Sequence, residues 1–326
     1  MSRAVRRDVP GRPSGCPGPS VGMPRAASPL STGTCVVHRS SRAHSALRCG
    51  SDSGGMETLE RLARGCYVRS AADLPERCAA ALVQAGDDTV VVGPAAAALH
   101  RLWLPREVTA PVLARVAVSR RSAAINPMRR PGLPVHRWQI TPDQLTVVAG
   151  LPVTTMERTW WDLAAELTLP DLVAAGDRAL QLGADHSQLS ALVRQKTRRR
   201  GNANARIALA LLDPRSESRP ESHLRVITRL LGLDCFQANE PIVDQTGGWL
   251  ARPDLSCRHS RIALEYQGKD HANLNRMRQD ITRDTDLRRE NWRVLYYGPT
   301  QVFDRPHQIG PELVALHGSR SSAHHE

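Results

Sequence analysis

Asp254 and Glu265 stand eleven positions apart in RPDLSCRHSRIALEYQGKDH, residues 252 to 271. The apolar-rich runs Leu250 to Cys257 and Ile262 to Tyr266 flank Arg258-His259-Ser260-Arg261, which reads as a hairpin loop. A turn centred between His259 and Ser260 sets Asp254 opposite Glu265, with Cβ atoms roughly 5 Å apart on one face. Leu255, Cys257, Ile262, Leu264 and Tyr266 then fall on the other face as core, while Asp254, Glu265 and Gln267 project together. Adjacent carboxylates repel unless a cation or proton sits between them. Two hard oxygen ligands completed by water and a phosphate suit Mg²⁺, or Mn²⁺ in its place. The same spacing also fits an exposed sheet face whose acids are solvated and paired with Arg252 or Arg261. His259-Ser260 is not the Asn-Gly or Asp-Gly that a two-residue turn favours, and a bulge there shifts the register.

The elements that must hold this hairpin follow from patterning. "RPESHLRVITRLLGL" predicts a helix with Pro220 in its first turn, Leu224, Ile227 and Leu231 on one stripe, and Gly232 as its stop. Glu221 lies in its first turn, where a carboxylate complements the helix dipole. After Gly268 and His271 a charged helix runs to about Glu290, with Leu274, Met277 and Ile281 inward and Asn291 as its cap. A strand WRVLYY and a short helix near Pro311 to His317 complete an α/β domain of the usual size.

Upstream, residues 151 to 213 are helical in pattern. TTMERTWWDLAAEL is capped by Thr155, LPDLVAAGDRALQLG ends at Gly183, and HSQLSALVRQK and NANARIALALLD follow. Trp160 and Trp161 read as core, and Arg158 with Asp162 as a minor ion pair on one helix face. Between the last two helices Arg198, Arg199 and Arg200 crowd into a basic loop, which fits either a phosphate backbone or plain solvation. Residues 56 to 150 mix short elements: a helical METLERLARG, a helix from Leu74 to Ala85, a strand DTVVVG, a helix PAAAALHRLWLP carrying His100, and strands VLARVAVS and LPVHRWQI.

Composition sets outer bounds. The 326 residues carry 44 Lys and Arg against 32 acids, for a net charge of +12. Only Lys196 and Lys269 are lysines, so the charge is almost wholly arginine, which a GC-rich genome explains as readily as a polyanionic partner. In residues 1 to 55, Ser, Gly and Pro make up 24 positions with almost no apolar periodicity, and disorder is expected there. The change at GGMETLERLARGCYV suggests an upstream extension, with Met56 as the functional start. Seven cysteines without a C-x-x-C pair or a Cys/His cluster at zinc spacing predict free thiols in a reducing cytoplasm. No apolar run approaches the ~20 residues of a membrane span, so no membrane partner is expected.

From PESHLR through RPDLSCRHSRIALEYQGKDH to QDITRDTDLRRENWRVLYY, about residues 214 to 318, the chain resembles the Vsr-like endonuclease-related family called domain of unknown function 559. That family lies within the PD-(D/E)XK nucleases. The resemblance implies a restriction-endonuclease-like mixed sheet flanked by helices. Asp254 is then the acid of the PD element, Glu265 the acid of the second, Glu221 an outer carboxylate from the first helix, and His271 the histidine after the glycine. Asp280 and Arg283 match a recurrent D-x-x-R, and Trp292 opens the last strand. Gln267 departs from the pattern: the superfamily carries Lys there and this family usually Asp, and Gln cannot act as a base at neutral pH. Lys269, two residues on, is a candidate substitute and nucleic-acid contact. VVVGPAAAALHRLWLP and GLPVTTMERTWWDLA resemble the AbiEi-type antitoxin region, with LERLARGCYV as the remnant of a winged helix.

The expected organisation is therefore a disordered stretch 1–55, a mixed α/β region 56–150, a helical region 151–213, an α/β nuclease-like domain 214–318 and a disordered tail 319–326. Two functions fit it. One is a Mg²⁺-dependent DNA endonuclease using Asp254, Glu265, Gln267, Glu221 and His271. The other is a non-catalytic, antitoxin-like protein that binds nucleic acid, a toxin partner or a second copy of itself.

Overall fold

The computed structural model describes residues 48–50, 56–63, 66–86, 88–120, 132–195, 199–268 and 283–323. Of the stretch expected to be disordered, Arg48–Gly50 forms strand β1, and the remainder up to Gly55 lies outside the described residues. β1 pairs with β2 (Met56–Ala63), which pairs in turn with β3 (Cys66–Arg69), both antiparallel. Met56–Ala63 was expected to be helical because Leu59 and Leu62 are three apart. In the strand both are buried, and a register irregularity between Arg61 and Ala63 accommodates that spacing.

α1 (Leu74–Ala85) opens on a capping box in which Asp73 accepts from the Glu76 N–H at 2.9 Å and the Asp73 N–H donates to Glu76 at 3.1 Å. β4 (Thr89–Val91), α2 (Gly93–Leu99), α3 (Arg106–Ala114), β5 (Val118–Arg120), β6 (Val135–His136), β7 (Leu145–Val148) and β8 (Leu151–Thr154) follow. They build a mixed sheet in the order β6-β5-β4-β8-β7. The expected strand VLARVAVS is split, its first residues completing α3 and only Val118 onward entering the sheet. Of LPVHRWQI only Val135–His136 is strand. His100 ties the end of α2 to this sheet through a 2.7 Å contact of Nε2 with the Thr154 carbonyl.

α4 (Met156–Leu163), α5 (Leu169–Gln181), α6 (His186–Arg194) and α7 (Asn202–Leu211) pack around Trp160, Leu163, Leu172 and Leu189, all fully buried. Thr155 caps α4 by accepting from the Arg158 N–H at 3.3 Å. Trp160 Nε1 donates to the Leu172 carbonyl at 2.8 Å, which satisfies the one polar atom of a buried indole. Gly201, at φ +86°, starts α7 so close to α4 that a Cβ would lie 2.5 Å from the Ala164 carbonyl oxygen.

The C-terminal third holds α8 (Arg219–Leu230), β9 (Gln237–Ala238), β10 (Ile242–Val243), β11 (Trp249–Ala251), β12 (Leu255–Cys257), β13 (Ile262–Tyr266), α9 (283–289), β14 (Arg293–Tyr297) and α10 (Ile309–Ala323). Its sheet runs β14-β13-β12-β9, with β13 and β14 parallel and the other pairs antiparallel. One face packs Leu255, Cys257, Ile262 and Leu264 against Leu224 of α8 and Leu313 of α10. The other face is not wholly polar, as the alternation implied. Ala263 packs there with Ile242, Ala251, Leu287 and Trp292, so the acids occupy one end of an otherwise apolar face. α10 continues past the expected end at His317 to Ala323, replacing most of the anticipated disordered tail. Among the described residues no helix is long and apolar enough to cross a membrane.

α8 is fixed to α5 by buried charge. Asp177 accepts from Ser222 Oγ at 2.7 Å, from the Asp213 N–H at 2.7 Å and from Arg225. Asp171 contacts His223 Nε2 at 2.9 Å and Arg219 at 2.7 Å. The helix that carries Glu221 is thereby held in one orientation against the helical region.

Candidate functional site

The hairpin has the register its sequence predicts. Leu255 pairs with Leu264, Ser256 with Ala263 and Cys257 with Ile262, so Asp254 stands opposite Glu265 one residue beyond the pairing. The unfavourable His259-Ser260 pair is accommodated by a four-residue turn, Arg258 to Arg261, in which Arg261 takes φ +47°.

Asp254 Oδ2 accepts the Tyr266 N–H at 2.7 Å, which locks the carboxylate across the end of the hairpin. Burial first, then the charges of Glu221 and Glu217, push the Asp254 carboxyl up to about 6 against the Tyr266 hydrogen bond and Arg283. Glu221 is itself buried. Its Oε2 accepts the Glu217 N–H at 2.6 Å and Asn239 Nδ2 at 2.7 Å, while the Asn239 N–H donates to the Asp254 carbonyl at 3.0 Å. Asn239 holds φ +51° and joins the two acids through side chain and backbone. Ser218 caps α8 by accepting the Glu221 N–H at 3.4 Å, which fixes where Glu221 begins.

Glu265 lies 3.3 Å from Arg283 Nη2 of α9. The two arginines expected to neutralise the acids are used elsewhere. Arg252 forms a forked pair with Glu217 at 2.7 and 2.9 Å, and Arg261 donates to the Glu290 carbonyl at 2.8 Å. Gln267 is exposed, and its N–H donates to the Tyr297 carbonyl at 2.9 Å, continuing the β13–β14 ladder. Lys269, His271 and Asp280 lie outside the described residues, as does the inward stripe Leu274, Met277 and Ile281.

The structure thus brings Asp254, Glu265, Glu221 and Gln267 to one end of the sheet, and adds Glu217, Asn239 and Arg283. Glu217 and Asn239 escaped sequence reasoning because they act through the turns flanking α8 and β9. An asparagine in a left-handed position next to Glu-Pro is the only local signal.

Of the basic loop, Arg198 is outside the described residues and Arg200 is exposed. Arg199 turns inward to Asp162 and stacks 4.3 Å from the Trp161 ring centroid and 5.3 Å from that of Trp138. Arg158 and Asp162, expected to form a minor surface pair, are buried with it. Arg158 Nε donates to Asp162 at 2.9 Å and Nη1 to the Gln139 carbonyl at 2.8 Å.

The expectation of free thiols holds for Cys78, which is buried and free, and fails for Cys235 and Cys257, which are joined as a disulfide. His317 of α10 places Nε2 3.3 Å from Cys235 Sγ. The three side chains escaped a search for zinc spacing because the fold, not a short motif, gathers them from the turn before β9, from β12 and from α10.

No family model and no solved structure matches the chain. Two curated proteins of Mycobacterium tuberculosis do: Uncharacterized protein MT2308 of strain CDC 1551 and Uncharacterized protein Rv2248 of strain H37Rv. Each is 30% identical over 239 residues, spanning 73% of this chain and 84% of the relative. The chain belongs to their family. Membership in the Rv2248 family extends over most of the molecule.

Proposed function

We propose that this member of the Rv2248 family is a Mg²⁺-dependent DNA endonuclease whose C-terminal third is a restriction-endonuclease-like domain. The observation that carries the reading is Asp254: a mostly buried carboxylate held to a backbone N–H, with Glu221 and Glu217 as neighbours and Glu265 opposite in the strand register. Such an arrangement disfavours its own ionisation, and a divalent cation relieves it. Asp254 and Glu265 would hold the ion, with the Tyr266 carbonyl as a further oxygen donor, and hard oxygen donors of this kind fit Mg²⁺ or Mn²⁺. Bound there, the ion would polarise the scissile phosphate and lower the pKa of a bound water. Glu221, fixed by Asn239, orients the site from outside it, and Gln267 and His271 orient the nucleophile. Lys269, Arg198 and Arg200 are the proposed backbone contacts to DNA. Arg199 is committed to Asp162 and supports that loop.

Titrating the full chain with Mg²⁺ and Mn²⁺ by calorimetry, beside plasmid cleavage, tests the reading. Binding and cleavage should both disappear in the Asp254→Ala/Glu265→Ala double variant. If wild type shows neither, even with DNA present, the nuclease reading fails.

A second reading rests on Gln267 and on Arg283 beside Glu265: the arginine serves as the resident cation, and the fold binds nucleic acid or a protein partner without turnover. DNA binding that ignores Mg²⁺ and chelators is its expected signature.

A further inference from the structure

At the opposite end of the hairpin from Asp254, three side chains of metal-binding type meet and a fourth lies nearby. Cys235 precedes β9, Cys257 ends β12, His259 follows it in the turn, and His317 lies on α10. The ligand atoms of Cys235, Cys257 and His317 all lie within 4.8 Å of one another, and His317 Nε2 is 3.3 Å from Cys235 Sγ. The ring centroids of His259 and His317 are 6.4 Å apart. In a tetrahedral site with Zn–S of about 2.3 Å and Zn–N of about 2.0 Å, neighbouring ligand atoms sit roughly 3.5 to 3.8 Å apart. The His317 nitrogen is already near that distance from the Cys235 sulfur, and the two sulfurs, bonded to each other in the structure, can take up that spacing once the disulfide is reduced. The Cα atoms of Cys235 and Cys257 are 5.2 Å apart, which brings both sulfurs to one centre.

We propose that, with both sulfurs reduced, Cys235, Cys257, His317 and His259 hold a zinc ion that fastens α10 to the end of the C-terminal sheet. Thiolate and imidazole donors select Zn²⁺ over the Mg²⁺ suited to the carboxylates at the other end. A disulfide between the cysteines makes no use of an imidazole directed at the Cys235 sulfur. A zinc site does, and it draws its fourth ligand from the residue two positions past Cys257. The disulfide and the metal exclude each other. A phosphine reductant with water converts the disulfide to two thiols and itself to the phosphine oxide, and metal binding then releases the two thiol protons.

The test is titration of the phosphine-reduced full chain with Co²⁺ alone, followed by Zn²⁺. One equivalent of Co²⁺ should give intense tetrahedral absorption and a thiolate-to-cobalt charge-transfer band, both abolished by one equivalent of Zn²⁺. Cys235→Ser/Cys257→Ser should lose the charge-transfer band. His317→Ala and His259→Ala should each weaken Co²⁺ binding at least about tenfold, the loss typical of disturbing even an outer partner of a metal site. Circular dichroism of each variant separates lost ligation from lost folding, and the wild-type spectrum needs no variant. Reduced wild type without the band, or a band that persists in Cys235→Ser/Cys257→Ser, overturns the proposal.

Discussion

Asp177 and Asp254 are both carboxylates that burial pushes up to about 6, yet they live in opposite surroundings. Asp177 faces the Arg225 guanidinium, the Ser222 hydroxyl and the Asp213 N–H, so the cost of burial is reduced by a cation and donors that belong to the protein. Asp254 has one backbone N–H and two acidic neighbours that raise it further, with Arg283 as the opposing charge. The first joins two helices. Both raised carboxyls cost stability when ionised; what separates them is that the second sits among other acids and not beside a cation with several donors, a setting more typical of binding or chemistry than of architecture.

Substituting the cation of the first site should have the largest effect. Arg225→Ala leaves a charge buried beside Ser222 and should cost roughly 3–5 kcal/mol at pH 7 by urea unfolding. Protonation of Asp177 removes that charge, so the loss should shrink near pH 4, and a loss independent of pH would refute the comparison. The second site should respond in the other direction. A carboxyl raised from 3.8 to about 6 binds more protons folded than unfolded, so its contribution to stability declines as pH rises from about 4 to 6. Asp254→Asn removes that decline. It should stabilise the chain by at most about 3 kcal/mol at pH 7 and by nothing below about pH 4, while abolishing any Mg²⁺ binding. Equal stability of variant and wild type across that range would place Asp254 with Asp177 among structural acids.

Arg199→Ala tests whether the basic loop belongs to the architectural class. Loss of the Asp162 pair and of the Trp161 stacking should cost about 1–2 kcal/mol. Affinity for DNA, measured by fluorescence anisotropy at several salt concentrations, should keep its salt slope; a reduced slope would return Arg199 to the phosphate contacts. The smallest effect compares two helix caps. Thr155→Ala and Ser218→Ala should each cost about 1 kcal/mol, but only Ser218→Ala, which moves the start of α8 and so Glu221, should also weaken Mn²⁺ binding.

Local signals carried much of this fold. α4 to α8 begin and end near their caps, prolines and glycines, because capping is written in adjacent residues. The β12–β13 register was legible from the alternation on either side of Arg258 to Arg261. What the sequence hid is what depends on distant partners. Met56–Ala63 reads as helix until β1 and β3 supply its hydrogen bonds, and the second face of the C-terminal sheet reads as polar until Leu287 and Trp292 cover it. Within the candidate site, the opposed acids were visible. Asn239 and Glu217 were not, since they reach Glu221 only after two turns have closed.

Arg320, near the end of α10, donates to the Ser260 carbonyl at 2.7 Å and to the Asn291 carbonyl, clamping the hairpin turn to the chain that enters β14. The turn that aligns Asp254 with Glu265 is therefore held by a side chain 60 residues further along the chain, so a polypeptide cut before Arg320 lacks the clamp that secures its acids.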